Sequence, residues 1–240
     1  MAVIPARFAA TRFPGKPLTP IAGVPMVLQV AERAREAACF DLVVVATDDD
    51  RVAGVVREAG VEVVMTGETR NGTERVAQAI RRLQADVVVN VQGDEPALPP
   101  ANLAIVTHFL LEHPECPMAT LALPAGEGDL AEPNVVKVVC DAQGRALYFS
   151  RAPIPFPRTP VPGLVRRHVG VYGFRREALV QLVQWPECGL ERAEGLEQLR
   201  ALYFGMAIQV LAAAGDSVAV DVPGDVPRAE EAVRRLKGGA

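Results

Sequence analysis

The sequence predicts an α/β chain on a doubly wound, mostly parallel sheet, with a smaller β-rich lobe in its second half. Three observations carry this prediction. Half of the 240 residues are hydrophobic, Val, Ala and Leu dominate, and aromatics make up 5%; this suits strands buried on both faces. In the first half, short apolar runs alternate with segments of helical periodicity. In the second half, strand-like runs follow one another with turns between them. The length suits one domain with an inserted or appended lobe. We read 1–240 as a single domain: a first half over 1–115, a lobe over 116–205, and a return to the main sheet over 206–240.

Val3-Ile4-Pro5 opens as a strand, and a loop rich in Arg, Pro, Gly and Lys runs to residue 20. Residues 26–38 repeat apolar side chains at helical spacing. Residues 42–46 form an apolar run of strand length, ended by Thr47 and three aspartates, and a helical pattern begins at Val52. Residues 62–65 and 86–91 read as strands, with a helix over 73–83 between them and Thr73 as its expected cap. This alternation implies parallel strands joined by helices.

Beyond it, 118–123, 135–140, 145–150 and 168–174 read as strands, with Asp141-Ala142-Gln143-Gly144 as a hairpin turn. Residues 153–162 carry five prolines and cannot pair as a central strand. Residues 195–205 read as helical and 208–212 as strand. A last helix spans 223–236 with Pro223 at its start.

The net charge of −4 argues against a nucleic-acid partner, which calls for a basic surface. Cys39, Cys116, Cys140 and Cys188 are widely spaced and form no Cys-x-x-Cys unit, so neither a zinc site nor a disulfide framework is expected. No apolar run reaches membrane-spanning length. With a strand starting at the first residues, no signal peptide is expected. These features suggest a cytoplasmic protein with no membrane partner.

In a doubly wound sheet, ligands sit outside the carboxyl ends of the strands. Arg7, Arg12 and Lys16 follow the first strand, around Pro14-Gly15, and Asp94 follows the strand over 86–91. Both groups should therefore face one crevice. Three cations around a glycine turn suit a triphosphate; the alternative is a solvated basic loop. Pro17 after Gly15-Lys16 rules out a Walker A loop. Asp94 and Asp221, each expected at a strand end, could share a magnesium ion, or Asp221 could cap the last helix. Asp48, Asp49 and Asp50 precede a helix, so caps are the simpler explanation. His168 shares the β-rich half with Arg151, Arg167 and Tyr172; His108 and His113 fall on a peripheral helix.

Taken together, these segments resemble the 3-deoxy-manno-octulosonate (Kdo) cytidylyltransferases over nearly the whole chain. The resemblance rests on Val3-Ile4-Pro5-Ala6-Arg7, Arg12-Phe13-Pro14-Gly15-Lys16-Pro17-Leu18, Gly72-Thr73-Glu74-Arg75 and Gln92-Gly93-Asp94-Glu95-Pro96. It continues through Asn134-Val135-Val136-Lys137, Tyr148-Phe149-Ser150-Arg151-Ala152, Arg167-His168-Val169-Gly170-Val171-Tyr172 and Leu196-Glu197-Gln198-Leu199-Arg200. The opening and the Gln-Gly-Asp-Glu-Pro motif are shared more loosely with sialic acid cytidylyltransferases. Two segments depart from the family pattern. Asn71 stands where Ser commonly precedes Gly-Thr, and Asp221-Val222-Pro223-Gly224-Asp225 replaces Asp-Thr-Pro-Glu-Asp.

The resemblance implies a Rossmann-like nucleotidyltransferase fold and a homodimer. It implies a magnesium-dependent transfer from CTP to Kdo that releases pyrophosphate, for lipopolysaccharide biosynthesis. Sialic acid as acceptor, or a nucleotide-sensing protein without chemistry, are the alternatives. Magnesium would sit on Asp94 and Asp221. Arg7, Arg12 and Lys16 match triphosphate positions, Gly72 and Thr73 a nucleoside loop. Gln92, Arg151, His168, Tyr172, Glu197 and Gln198 match positions near the sugar acid. Lys16, Arg12, Asp94 and Asp221 would carry the catalysis, and the 153–162 segment would act as a lid.

Overall fold

The computed structural model describes residues 1–9, 13–126, 128–159 and 161–238. The chain divides into two compact units, Met1–Ala104 with Gly215–Ala240, and Ile105–Ala214. The second unit thus extends to Ala214, past the strand at 208–212.

The first unit alternates as the apolar runs predict. Its elements are β1 (Ala2–Ala6), a short β2–β3 pair (Pro20–Ile21 and Val24–Pro25), α1 (Met26–Glu36), β4 (Val43–Thr47), α2 (Asp50–Glu58), β5 (Glu62–Met65), α3 (Gly72–Ala79) and β6 (Val87–Asn90). The strands run β6-β1-β4-β5, and each pairing is parallel. Val44, Val45 and Val88 are fully buried, which is why these strands read as unbroken apolar runs. Asp49 caps α2, accepting from the Arg51 backbone N–H at 3.0 Å. Thr73 does not cap α3. The helix starts one residue earlier, and Asn71 Oδ1 accepts from the Glu74 N–H at 2.9 Å.

α4 (Pro100–Glu112) carries the chain into the second unit. There follow β7 (Met118–Pro124), β8 (Lys137–Cys140), β9 (Ala146–Ser150), β10 (Arg166–Arg175), α5 (Arg176–Gln184), α6 (Gly189–Glu194), α7 (Gln198–Tyr203) and β11 (Ile208–Ala212). β10 pairs antiparallel with β7 and β8, β8 with β9, and β11 runs parallel to β7. The β8–β9 turn closes as predicted, Gly144 taking the left-handed conformation at φ 79° that other residues resist. The proline-rich segment pairs with no strand among its described residues. The helices α5 and α6 lie outside what the periodicity predicted.

The last segment departs from prediction at one point. Residues 218–220 form no strand, so Asp221 does not stand at a strand end. Val220 is buried in a small core with Ile21, Met26, Ala97, Ala229 and Val233, and its N–H donates to the Asp94 carbonyl at 2.9 Å. Nor does Asp221 cap the final helix. A 3-10 turn (Pro223–Asp225) starts from Val222 and leads into α8 (Val226–Gly238). The Asp225 carboxylate accepts from the Asp221 and Val222 N–H groups.

Candidate active site

The predicted convergence is present within the first unit. Arg7, Lys16, Gly72, Gln92 and Asp94 line one cavity, with Pro5, Ala6, Pro17 and Gly93. The parallel register places these groups together, since β1 and β6 end side by side and deliver Arg7 and Asp94 to the same edge. Gly15, at φ 75°, turns the loop so that Lys16 comes back over that edge. Thr73 occupies the first turn of α3 beside Gly72. Arg12 lies outside the described residues.

Lys16 is the centre of the arrangement. Its ammonium donates to Asp94 Oδ2 at 2.7 Å and lies 3.8 Å from Asp221 Oδ1. One cation thus stands between the two predicted metal-binding carboxylates, and the Val220–Asp94 backbone bond ties their segments together. Gly93 is required here. A Cβ at this position would lie 2.6 Å from the Pro5 carbonyl oxygen, inside any allowed contact, so a side chain would push Asp94 off the edge.

Two groups near this site escape prediction. Arg75 is completely buried and reaches Thr66 Oγ1 and Asp48 Oδ2, both at 2.6 Å. It lines a second cavity with Arg7, Asp48 and Thr69. This gives Asp48 an ion-pair role rather than a capping one. The signal was an arginine on the apolar face of α3, four residues before the buried Ala79. Glu95 is also buried, and burial first, then the adjacent Asp94, pushes its carboxyl up to about 7.

The second unit holds the remaining candidates in two groups. His168 Nε2 contacts Thr120 Oγ1 at 2.9 Å, and its ring lies 5.2 Å from both Phe149 and Tyr172. Desolvation lowers the imidazole to about 3, so it is neutral at physiological pH and offers a hydrogen bond rather than a charge. Arg151 makes bonds of its own. Its Nε donates to the Glu194 carbonyl at 2.9 Å and its Nη1 to the Pro133 carbonyl at 3.1 Å. Glu197 begins α7, and Gln198 is buried in its first turn.

The sequence model of the cytidylyltransferase family matches residues 1–208. A 3-deoxy-manno-octulosonate cytidylyltransferase of Syntrophotalea carbinolica is 47% identical, covering 98% of this chain and 98% of the relative. The chain belongs to this family. Its relative in Myxococcus xanthus, of the same name, is also 47% identical over 100% of this chain and 98% of its own length. A solved structure of CMP:2-keto-3-deoxy-manno-octonic acid synthetase complexed with CTP is 38% identical and superimposes with a TM-score of 0.93, covering 98% of each chain. The α/β nucleotidyltransferase fold is therefore shared along nearly its full length. No helix among the described residues is long and apolar enough to cross a membrane.

Proposed function

We propose that the protein transfers the cytidylyl group of CTP to Kdo, forming CMP-Kdo, the activated sugar for lipopolysaccharide, and pyrophosphate. The observation that carries this is the Lys16 ammonium held between Asp94 and Asp221 in a cavity that Arg7, Gly72 and Gln92 also line. The anomeric 2-hydroxyl oxygen of the sugar bonds to the α-phosphorus. The bond from that phosphorus to the bridging oxygen breaks, and pyrophosphate leaves with its electron pair. The hydroxyl proton passes to solvent, and no side chain here is assigned as a dedicated base.

The obstacle is charge. Two like charges about 4 Å apart repel by roughly 4 kcal/mol at an effective dielectric near 20, and both substrates are anions. Arg7 and Lys16, with Arg12, bind the departing phosphates and offset that repulsion. Gly72 and Thr73 let the backbone approach the nucleoside. Arg151 binds the sugar carboxylate, and neutral His168, with Tyr172, Glu197 and Gln198, hydrogen-bonds the hydroxyls. Closure of the 153–162 segment excludes water.

Magnesium fits the carboxylate pair, since Asp94 and Asp221 lie close enough to share one cation and magnesium commonly takes one or two carboxylates with phosphate and water oxygens. When bound to Asp94 and Asp221 it supplies charge neutralisation and a more acidic hydroxyl. A homodimer is supported by Leu147, Phe156 and Tyr203, which are 61%, 84% and 59% exposed on the second unit. With no disulfide among its cysteines, the chain suits the reducing cytoplasm.

The test is pyrophosphate release from CTP and Kdo with magnesium, with UTP and sialic acid as controls. Release needing CTP, Kdo and magnesium together is expected. Release with sialic acid in place of Kdo changes the acceptor. No release from folded protein with any pair overturns the transfer and favours nucleotide sensing.

A further inference from the structure

Lys137 is completely buried in β8, yet no carboxylate forms an ion pair with it among the described residues. Its ammonium donates to the Glu132 carbonyl at 2.9 Å, the Val135 carbonyl at 2.8 Å and the Arg151 carbonyl. An ammonium has three N–H donors, so none remains for a ligand. Such burial is costly, and desolvation holds the amine below its ordinary value. A charge kept here joins three carbonyls from two separate stretches of chain.

Glu194 does the complementary work from α6. Its carboxylate accepts from Ser150 Oγ at 2.6 Å and from the Arg151 N–H at 2.8 Å. The Arg151 residue is thus gripped at its N–H by an anion and at its carbonyl by a cation. Its guanidinium is aimed by two carbonyls, those of Glu194 and Pro133. Pro133 belongs to the 132–135 loop that Lys137 itself anchors. Two of the five guanidinium N–H groups are used in this way, and no carboxylate cancels the charge among the described residues.

We infer that Lys137 and Glu194 are positioning residues that hold the Arg151 guanidinium in place for the carboxylate of the sugar acid. This rests on the proposed role of Arg151 in binding the acceptor. Neither residue touches substrate on this account. Each acts through Arg151, so its loss should weaken acceptor binding and leave the nucleotide site intact.

The test compares Lys137→Met, Glu194→Gln, Arg151→Ala and the double variant Lys137→Met/Arg151→Ala. Steady-state kinetics is measured with Kdo and with CTP varied in turn, and folding is checked by thermal melting. Lys137→Met and Glu194→Gln should each raise KM for Kdo by about tenfold or more, with KM for CTP and kcat within about threefold of wild type. The double variant should match Arg151→Ala within about twofold, because residues acting through one group are not additive. Equal rises in both KM values, or a double variant worse by the product of the two single effects, would overturn the inference. If Lys137→Met fails to fold, Glu194→Gln, which keeps one acceptor oxygen, decides the matter: an unchanged KM for Kdo overturns it. Wild-type protein inert with Kdo would defeat the proposed function itself, and this inference with it.

Discussion

The two units partner their buried and half-buried cations differently. In the first unit, Lys16 meets Asp94 at 2.7 Å, Arg75 meets Asp48 at 2.6 Å, and Arg33 meets Glu36 at 2.5 Å. In the second unit, Lys137, Arg151 and Arg175 are held by backbone carbonyls. A carboxylate cancels a cation's charge, whereas a carbonyl directs the cation and leaves the charge standing. On the proposed function, the Lys16–Asp94 pair would exchange partners when phosphates and metal arrive. The carbonyl-held arrangement suits a fixed cation awaiting a single carboxylate.

The sharpest challenge comes from an exception in the second unit. Arg200 forms a two-bond fork with Glu191 at 2.7 and 2.5 Å, with side chains only 5% and 7% exposed. Glu191→Ala leaves that guanidinium buried without its carboxylate, and should cost about 3–5 kcal/mol in chemical denaturation. A loss under about 1 kcal/mol would mean that carbonyls alone can support a buried cation here.

Asp94→Asn removes the exchangeable partner in the first unit. Turnover by pyrophosphate release should fall by at least about 10²-fold, and near-normal turnover would remove Asp94 from the metal role. His168 bears on whether the second unit keeps its charge in the arginines alone. Its pKa falls from 6.5 to about 3 on folding, so its contribution to stability is fully present above pH 6.5 and drains away as pH drops through about 3. His168→Gln, which keeps a donor or acceptor for Thr120, should flatten the stability profile across that window. The residue as a whole is half-buried, so the effect is on the order of a few kcal/mol at most. Smallest is Asn71→Ala, which should lower stability by about 1 kcal/mol through loss of the α3 cap. Asn71→Ser should stay close to wild type.

These contrasts also mark what the sequence made legible. Strands β4 and β6 were readable because burial on both faces leaves unbroken apolar runs. The meeting of Lys16 with Asp94 followed from strand ends alone. The cap of α3 was misplaced by two residues because Asn71 and Thr73 are both competent caps, and only the helix start decides between them. Arg75 and Lys137 were hidden for a different reason. A charged residue in sequence looks like surface, and its burial depends on partners that are distant in the chain or are carbonyls without sequence identity. Helix α6 spans only six residues, too few for periodicity to register, whereas α5 does carry Ala178, Leu179 and Leu182 at helical spacing and still escaped prediction.

The position of Asp221 is set by main-chain bonds: Val220 N–H to the Asp94 carbonyl, and the Asp221 and Val222 N–H groups to Asp225. Val222 is 41% exposed, and a Cβ at Gly224 would meet nothing within 4 Å. Identity at these two positions is therefore free to drift, and the hydroxyl that Val222 lacks is not needed to hold the acid. Length is another matter. One residue added or lost between 220 and 225 would move Asp221 away from its partner, so descendants of this chain can respell the segment but not resize it.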